Sequence, residues 1–404
     1  MFPAASLLTI IPLALSITAS PVEVVNSPIT LPIARRFNVS DGTINLVQQD
    51  RDRVTALKDR TLKHSGHSTP ATNVANTYLV AVGVGSPPTT YNLVIDTGSS
   101  NTWVGANTMY AVTKTSVNTG QPVSVSYGSG YFDGTEYTDT VTLGKGITIP
   151  HQSIGVAVDS SGFSGVDGIL GIGPVGLTAG TLVDEPSTTI PTVANNLHKQ
   201  GTIHHEFFSI SFEPTTSVKV TNGELTFGGT VAGKHVGPIT YTPITKTKPA
   251  SGYWGIDQSI SYGSTTILSS TAGIVDSGTT FLYIASDAFD KYKSATGGTP
   301  DAATGLLLIS SAHYKALKNL NFHIGSETYT LTPNAQLWPR ALNTALGGSS
   351  KALYLVVADI NTPSGQGFDF INGYTFLERF YSVYDAAHSR VGFAKTPYTD
   401  ATTN

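Results

Sequence analysis

The sequence predicts a mostly β protein made of two related lobes, and three observations support this fold class. Only 12 % of the 404 residues are charged, against about 25 % in an average soluble protein, while the chain holds 41 Gly and 22 Pro. From about residue 73 onward, short segments rich in β-branched and aromatic residues end in turn-forming residues. One short motif also occurs twice, 180 residues apart, which indicates a duplicated architecture.

This pattern of short segments and turns predicts the individual strands and helices. The predicted strands share β-branched or aromatic residues and a closing turn residue: TYLVAVGVG, YNLVIDTG, VSVSYGSG, DTVTLG, ITIPHQSIGVAV, GELTFGG and ALYLVVADI. Helical candidates are few, with Pro191–Lys199 and Ser286–Ala295 the best of them. We expect an N-terminal lobe over 73–245 and a C-terminal lobe over 246–404.

The N-terminus has a different character. Residues 1–20 carry no charge and combine an apolar run with small residues, so they predict a secretory signal peptide rather than a short membrane anchor. Residues 21–68 have a formal charge of +2 and the remainder −6, which is typical of a basic pro-segment. A helix is expected from Val47 to Leu62, with Val54 and Leu57 on one side. The alternative for residues 21–68 is a solvated flexible tail.

Several function classes are excluded or unsupported. The absence of cysteine rules out thiol catalysis, disulfides and cysteine-based metal sites. A net charge of −4 offers no nucleic-acid footprint. The nearest approach to a zinc motif, His204-His205-Glu206, lacks the second histidine of a zinc protease helix, and no Gly-x-Ser-x-Gly is present. We therefore expect no metal, no cofactor and no membrane partner.

The repeated motif carries the chemistry. Asp96 in LVIDTGSSNTWV and Asp276 in IVDSGTTFLYI each follow an apolar run that predicts a buried strand. Each is followed by hydroxyl residues that can orient a carboxylate and by a glycine that permits a close turn. If the two loops meet, their carboxylates cannot both ionise easily and share a proton. One then acts as a base and the other as an acid, which suits hydrolysis of an amide by an activated water.

With these motifs the chain resembles the pepsin-like aspartic proteases over roughly residues 75–396, and its cysteine-free sequence is particularly similar to secreted members from basidiomycete fungi. Tyr127-Gly128-Ser129-Gly130 resembles the flap hairpin of the family, and GILGIG at 168–173 and FINGYTFLERFYSVYDAAHSRVGFA at 370–394 resemble its downstream blocks. This family is the standard example of two carboxylates that share one proton. The resemblance implies a bilobal all-β fold with a cleft between the lobes.

The resemblance also implies roles for single residues. Asp96 and Asp276 match the catalytic pair. The matching supports of the pair are Thr97, Gly98, Ser99, Ser277, Gly278 and Thr279. Tyr127 matches the flap tyrosine, and Trp103 matches the indole that can hydrogen-bond to it. The positions that bind substrate backbone in the family are matched by Gly128, Ser129, Gly278 and Thr280. Ser129 stands where members that accept a basic side chain often carry Asp, so cleavage beside large apolar residues is expected.

Two residues depart from the family pattern. Asn372 replaces an aliphatic residue before a glycine of the second downstream block, and Tyr374 replaces a common Asp just after it. These changes put in question the packing beneath Asp276 and leave the pair itself untouched.

The sequence therefore predicts a secreted, extracellular acid endopeptidase made as a zymogen. It is expected to be monomeric, to act on proteins or peptides and to be sensitive to pepstatin-type inhibitors. A lysine of the pro-segment, Lys58 or Lys63, is expected to pair with the two aspartates, with a cut between Lys63 and Asn73. The alternatives are an inactive binding protein of the same fold and a vacuolar protease.

Overall fold

The computed structural model describes residues 28–37, 45–59, 76–144 and 147–403. Its first strands are β1 (Ile29–Phe37), β2 (Asn76–Val84), β3 (Thr89–Asp96), β4 (Thr102–Val104), β5 (Val117–Ser126), β6 (Tyr131–Leu143), β7 (Ile147–Ser161) and β8 (Gly168–Gly171). Next come β9 (Phe207–Ser211), β10 (Lys219–Phe227), β11 (Val236–Pro243), β12 (Gly255–Tyr262), β13 (Thr265–Val275), β14 (Leu282–Ile284), β15 (Thr299–Pro300) and β16 (Leu307–Ile309). The last are β17 (Leu320–Ile324), β18 (Glu327–Leu331), β19 (Leu353–Leu355), β20 (Val357–Asp359), β21 (Phe370–Asn372), β22 (Phe380–Asp385) and β23 (Arg390–Lys395).

Helices are short and few in the described part of the chain. They are α1 (Leu46–Asp59), α2 (Val193–Lys199), α3 (Ser286–Thr296), α4 (Ser311–Lys315) and α5 (Tyr374–Leu377), with 3₁₀ turns at Val175–Thr178, Ala250–Gly252 and Arg340–Leu346. The two helices predicted outside the pro-segment are thus confirmed, with α2 starting two residues late because Thr192 caps it through a reciprocal bond pair with Asn195.

The strands form three sheets. A 13-stranded sheet runs β11-β23-β22-β9-β10-β1-β2-β3-β8-β4-β7-β6-β5, a seven-stranded sheet runs β18-β17-β12-β13-β21-β14-β20, and β15, β16 and β19 form the third. Strands β22 and β23 come from the C-terminal end of the chain but lie in the large sheet beside β9, so this sheet joins the two halves.

The duplication predicted from the repeated motif is present in the topology. In the first half, β3 pairs parallel with β8 and β8 pairs antiparallel with β4. In the second half, β13 pairs parallel with β21 and β21 pairs antiparallel with β14. The same three-strand unit therefore supports each aspartate loop.

Two parts of the predicted pro-segment are described, and both are packed against the rest of the chain. Strand β1 lies inside the large sheet, between β10 and β2. Helix α1 buries Leu46, Val47, Val54 and Leu57. A flexible tail therefore does not describe residues 29–37 or 46–59. The signal peptide, Leu62, Lys63 and the expected cut site lie outside the described residues.

Candidate active site

The two aspartates sit at equivalent places in the two halves. Asp96 ends β3, and Asp276 directly follows β13. Both strands end in fully buried apolar residues, so the carboxylates are held at depth, with exposed fractions of 1 % and 0 %. A Cβ added at Gly98 would lie 2.6 Å from Asp276 Oδ1, and one at Gly278 would lie 2.7 Å from Asp96 Oδ1. Only glycine lets the two loops come this close.

Matching hydrogen bonds fix each carboxylate. The Gly98 N–H donates to Asp96 Oδ1 at 2.8 Å, and the Ser99 hydroxyl donates to Oδ2 at 2.5 Å. In the second half, the Gly278 N–H donates to Asp276 Oδ1 at 3.0 Å, and the Thr279 hydroxyl donates to Oδ2 at 2.5 Å. The two loops thus orient their carboxylates by the same pair of donors.

Thr97 and Ser277 tie the two loops to each other. The Thr97 hydroxyl donates to the Val275 carbonyl at 3.1 Å and accepts from the Ser277 N–H at 2.9 Å. The Ser277 hydroxyl donates to the Ile95 carbonyl at 3.0 Å and accepts from the Thr97 N–H at 3.1 Å. These four buried bonds set the position of one loop against the other.

An arginine of helix α1 occupies the space between the carboxylates. Arg53 Nη2 donates to Asp96 Oδ1 at 2.6 Å and to Asp276 Oδ1 at 3.0 Å, and its Nε donates to Asp276 Oδ2 at 2.9 Å. The expectation of a lysine at this place is wrong for Lys58, whose Nζ donates instead to the Thr362 hydroxyl at 2.6 Å. Lys58 lies more than one helical turn beyond Arg53, and the planar guanidinium can contact both carboxylates at once.

The charges of this cluster shift its pKa values in opposite directions. Burial raises the pKa of Asp96, because Arg53 offsets only part of the cost of burying its charge. For Asp276 the cost of burial is outweighed by Arg53 and by the Thr279 and Gly278 hydrogen bonds, so its pKa is lowered. The difference follows from geometry, since Arg53 makes two bonds to Asp276 and one to Asp96.

Helix α1 fills the region around the pair. Asp50 Oδ2 accepts from the N–H groups of Thr280 and Phe281, each at 3.0 Å, and burial raises its pKa to about 7. Tyr253 donates its hydroxyl to the Leu57 carbonyl at 2.6 Å. The space left beside Arg53, Gly98 and Tyr127 is only about 10 Å³. Arg53 and Asp50 are the functional residues that the sequence analysis missed.

The expected flap residues lie against the same helix. Tyr127, Gly128 and Ser129 connect β5 to β6, and a Cβ added at Gly128 would overlap the Asp52 carbonyl of α1. The predicted hydrogen bond from Trp103 to Tyr127 is not formed: Trp103 Nε1 has no partner among the described residues. Instead the two rings face each other at 6.4 Å, and the indole stacks on Phe132 at 4.4 Å.

The two departures from the family pattern have a structural explanation. The Asn372 amide exchanges two hydrogen bonds with the buried Gln258 amide, at 2.8 and 3.2 Å, so its polar atoms are satisfied without an aliphatic side chain. Its carbonyl accepts from the Asp276 N–H at 3.2 Å. Tyr374 is fully buried beside Arg35 of β1, with the guanidinium 5.5 Å from its ring. An Asp there would place a second carboxylate beside Glu378.

Three further findings concern the rest of the described chain. A separate cavity of about 240 Å³, with Phe208, Trp254 and Tyr384 among its walls, contains neither aspartate. Across residues 28–37, 45–59, 76–144 and 147–403, no three His, Asp or Glu side chains are grouped to hold a metal ion. No helix in those ranges is long and apolar enough to cross a membrane.

Comparisons with known proteins agree with this geometry. Residues 77–396 match the family model "Eukaryotic aspartyl protease". Polyporopepsin from Irpex lacteus is 63 % identical over 338 residues, which cover 83 % of this chain and 99 % of the relative. Gastricsin from Cavia porcellus is 29 % identical over 78 % of this chain and 79 % of the relative.

A solved structure extends the match to three dimensions. The crystal structure of aspartic proteinase from Irpex lacteus superposes with a TM-score of 0.82 at 56 % identity, covering 94 % of this chain and all of the other. The fold class predicted from the sequence, a bilobal all-β fold, is thereby confirmed. The chain belongs to the eukaryotic aspartyl protease family and is a pepsin-like aspartic endopeptidase.

Proposed function

We propose that this chain is a secreted acid endopeptidase, made as a zymogen, in which Asp96 and Asp276 are the catalytic pair. The observation that carries the proposal is the bridging of both carboxylates by Arg53 of α1. The two carboxylates bind one cation between them while α1 is in place, and equivalent donors orient them in the two halves. Such a pair is suited to share one proton once the cation leaves.

The mechanism follows from the two carboxyl groups. When the pro-segment is gone, a water molecule sits between the inner oxygens. The ionised carboxylate takes a proton from this water, whose oxygen attacks the peptide carbonyl carbon, while the protonated carboxyl group donates to the carbonyl oxygen. The proton taken from the water then passes to the leaving nitrogen as the C–N bond breaks, and one hydroxyl of the tetrahedral intermediate returns its proton to the other carboxylate, so that the pair regains its single proton. No covalent intermediate and no cofactor are required.

Activation by acid rests on the same contacts. Arg53 stays cationic at every relevant pH, so only protonation of the aspartates can weaken its binding. Arg53 helps to lower the pKa of Asp276 while α1 is bound. The ion pair therefore stabilises the docked helix fully above the pKa that Asp276 has without α1, and this stabilisation is lost as pH falls through the lowered pKa. The freed cleft then removes the pro-segment, with the cut between Lys63 and Asn73.

Substrate preference is proposed from the flap. Ser129 lies at the tip of the β5–β6 hairpin and offers no charge to a basic side chain. Tyr127 borders the space beside Arg53 and Gly98, and apolar side chains gain most from an apolar wall of this kind. We therefore propose cleavage beside large apolar residues and poor cleavage after lysine.

The catalytic assignment is tested with Asp96→Asn and Asp276→Asn, assayed on an unfolded protein at about pH 3–5, with and without pepstatin. Each variant should lose at least about 100-fold in turnover, because a positioned acid or base contributes roughly 10²–10⁴-fold. The control is Asp290→Asn on the exposed side of α3, which should keep full activity. Turnover above about a hundredth of the native rate in either variant would overturn the assignment.

The zymogen role has its own test. The Arg53→Met precursor should convert to the shorter form at a higher pH than the native precursor, because one anchor of α1 is gone, whereas Arg51→Met, two residues earlier in α1, should convert as the native precursor does. A precursor of native sequence that is fully active at neutral pH with residues 21–68 attached would refute the proposal. Assay of culture medium against vacuolar fractions separates export from vacuolar delivery.

A further inference from the structure

Strand β1 places a charged residue where its pattern calls for an apolar one. Along β1 the buried face carries Ile29, Leu31, Ile33, Arg35 and Phe37, and the intervening residues face outward. The Arg35 side chain is only 1 % exposed. A cation at this depth requires a site built for it, because an unpaired buried charge is strongly unfavourable.

The part of the chain outside the pro-segment supplies that site. Arg35 Nη1 lies 3.1 Å from Glu378 Oε1 and donates to the Thr215 carbonyl at 3.3 Å. The Tyr78 hydroxyl donates to the same Glu378 oxygen at 2.8 Å, which orients the carboxylate. The guanidinium carbon also lies 5.8 Å from the Trp338 ring and 5.5 Å from the Tyr374 ring, within range of cation–π attraction.

This arrangement is separate from the aspartate pair but adjoins its loop. The contacts of Arg35 given above involve neither Asp96 nor Asp276. The Tyr374 N–H, however, donates to the carbonyl of Thr279 at 2.9 Å, and Thr279 holds the outer oxygen of Asp276. The Arg35 site is therefore linked by one hydrogen bond to the loop that carries Asp276.

From these contacts we propose that Glu378, Tyr78, Tyr374 and Trp338 form a guanidinium-binding site, which Arg35 occupies to hold β1 in the large sheet independently of Arg53. The proposal rests on the zymogen function, because it gives the pro-segment a second anchor. Arg35 supplies what the site selects for: a planar cation that pairs with a carboxylate at its edge and stacks on aromatic rings with its face. A lysine has the charge but not this shape.

The site also responds to acid. The groups that face Glu378 are Arg35 from β1, Tyr78 from β2, and Tyr374 and Arg379 from the α5 segment. Burial raises the pKa of Glu378, and Arg35 offsets part of this rise. The pKa of Glu378 is therefore lower with Arg35 docked than in the empty site. The Arg35–Glu378 pair stabilises docked β1 fully above the pKa of the empty site, and this stabilisation is lost as pH falls through the pKa of the docked site. Acid therefore loosens both anchors.

Hydrogen exchange of the β1 amides tests the proposal, measured at neutral pH on the full precursor carrying Asp96→Asn to prevent self-digestion. Arg35→Ala should speed exchange across β1 about 100-fold, as expected when a buried pair loses one partner. The matched control is Arg36→Ala, since Arg36 is the next residue and its exposed side chain donates to the Gly165 carbonyl, away from Glu378. It should leave exchange nearly unchanged.

A chemical rescue identifies the ligand class. Methylguanidinium should restore slow exchange to the Arg35→Ala precursor, and methylammonium at equal concentration should not. Equal exchange in Arg35→Ala and Arg36→Ala, or equal rescue by the two cations, would overturn the proposal. If Arg35→Ala does not fold, Glu378→Gln tests the same pair and should also accelerate β1 exchange. None of these readouts depends on peptide hydrolysis, so their failure leaves the assignment of the aspartates and Arg53 standing.

Discussion

Glu136 makes the stability of the first half of the chain depend on pH. It lies on β6, opposite Gly155 of β7, and is 3 % exposed. Its Oε1 accepts from the Ser153 hydroxyl, while Oε2 has no hydrogen-bond partner among the described residues. No ion pair of the described chain includes it. Burial accordingly raises its pKa from 4.5 to about 7, against a smaller opposing effect of Ser153.

The size of the effect follows from the shift. In the unfolded chain Glu136 ionises near its ordinary value, whereas in the folded protein it stays protonated until about pH 7. The unfolded state therefore binds fewer protons between these values, and stability falls as pH rises. The full contribution is present below about pH 4.5, and about 3 kcal/mol of it is lost by pH 7.5, at about 1.36 kcal/mol per pKa unit.

We expect Glu136→Gln to remove this loss. Urea unfolding at pH 4 and pH 7.5 measures the free energy of unfolding of two chains that both carry Asp96→Asn. Between these pH values, the chain that also carries Glu136→Gln should gain about 3 kcal/mol of unfolding free energy relative to the chain that keeps Glu136. The exposed Glu327→Gln serves as control and should show a much smaller difference. If Glu136→Gln changes the pH dependence by less than about 1 kcal/mol, the carboxyl group is not the buried acid described here.

Three other substitutions test separate parts of the site. Asp50→Asn should shift precursor conversion to lower pH. The pKa of Asp50 is raised to about 7, so its carboxyl group favours docking of α1 only when protonated, whereas the neutral amide keeps docking favourable at higher pH as well. Conversion of the variant at a higher pH than the native precursor would contradict this. Thr97→Val should lower the unfolding free energy by about 2 kcal/mol and reduce kcat more than it raises KM, since it leaves the Val275 carbonyl and the Ser277 N–H unpaired, whereas Thr97→Ser should behave as the native chain. Ser129→Asp should increase cleavage after lysine in a peptide library, and an unchanged profile would mean that the flap tip does not select the side chain.

The architecture is predictable from the sequence because it depends on repeated local patterns. A buried strand followed by Asp, a small hydroxyl residue and Gly occurs twice, and the structure places both copies on equivalent three-strand units. The pairing of Thr97 with Ser277 also follows from this symmetry, since each loop offers the other the same hydroxyl and the same backbone groups.

The contacts that β1 and α1 make with the rest of the chain are not predictable to the same degree. Sequence reasoning places a cation over the aspartates but selects lysines, because it considers net charge and not which face of the helix is buried. Asp50 and Arg53 are three residues apart in α1, on the side that also buries Val54 and Leu57. Two opposite charges on an apolar helix face are the available signal. Arg35 gives a similar signal on a strand, where it interrupts an alternating apolar row.

The four bonds between the Thr97 and Ser277 loops restrict how the molecule can move. Because each loop binds the backbone of the other, the two halves cannot separate at this depth without leaving four buried backbone groups and two hydroxyls unpaired. Any relative rotation of the halves must therefore pivot close to the carboxylates, where displacement is smallest, and must be largest at the outer rim. We therefore expect the distance between the Asp96 and Asp276 carboxylates, the proposed catalytic pair, to change little when the two halves move against each other.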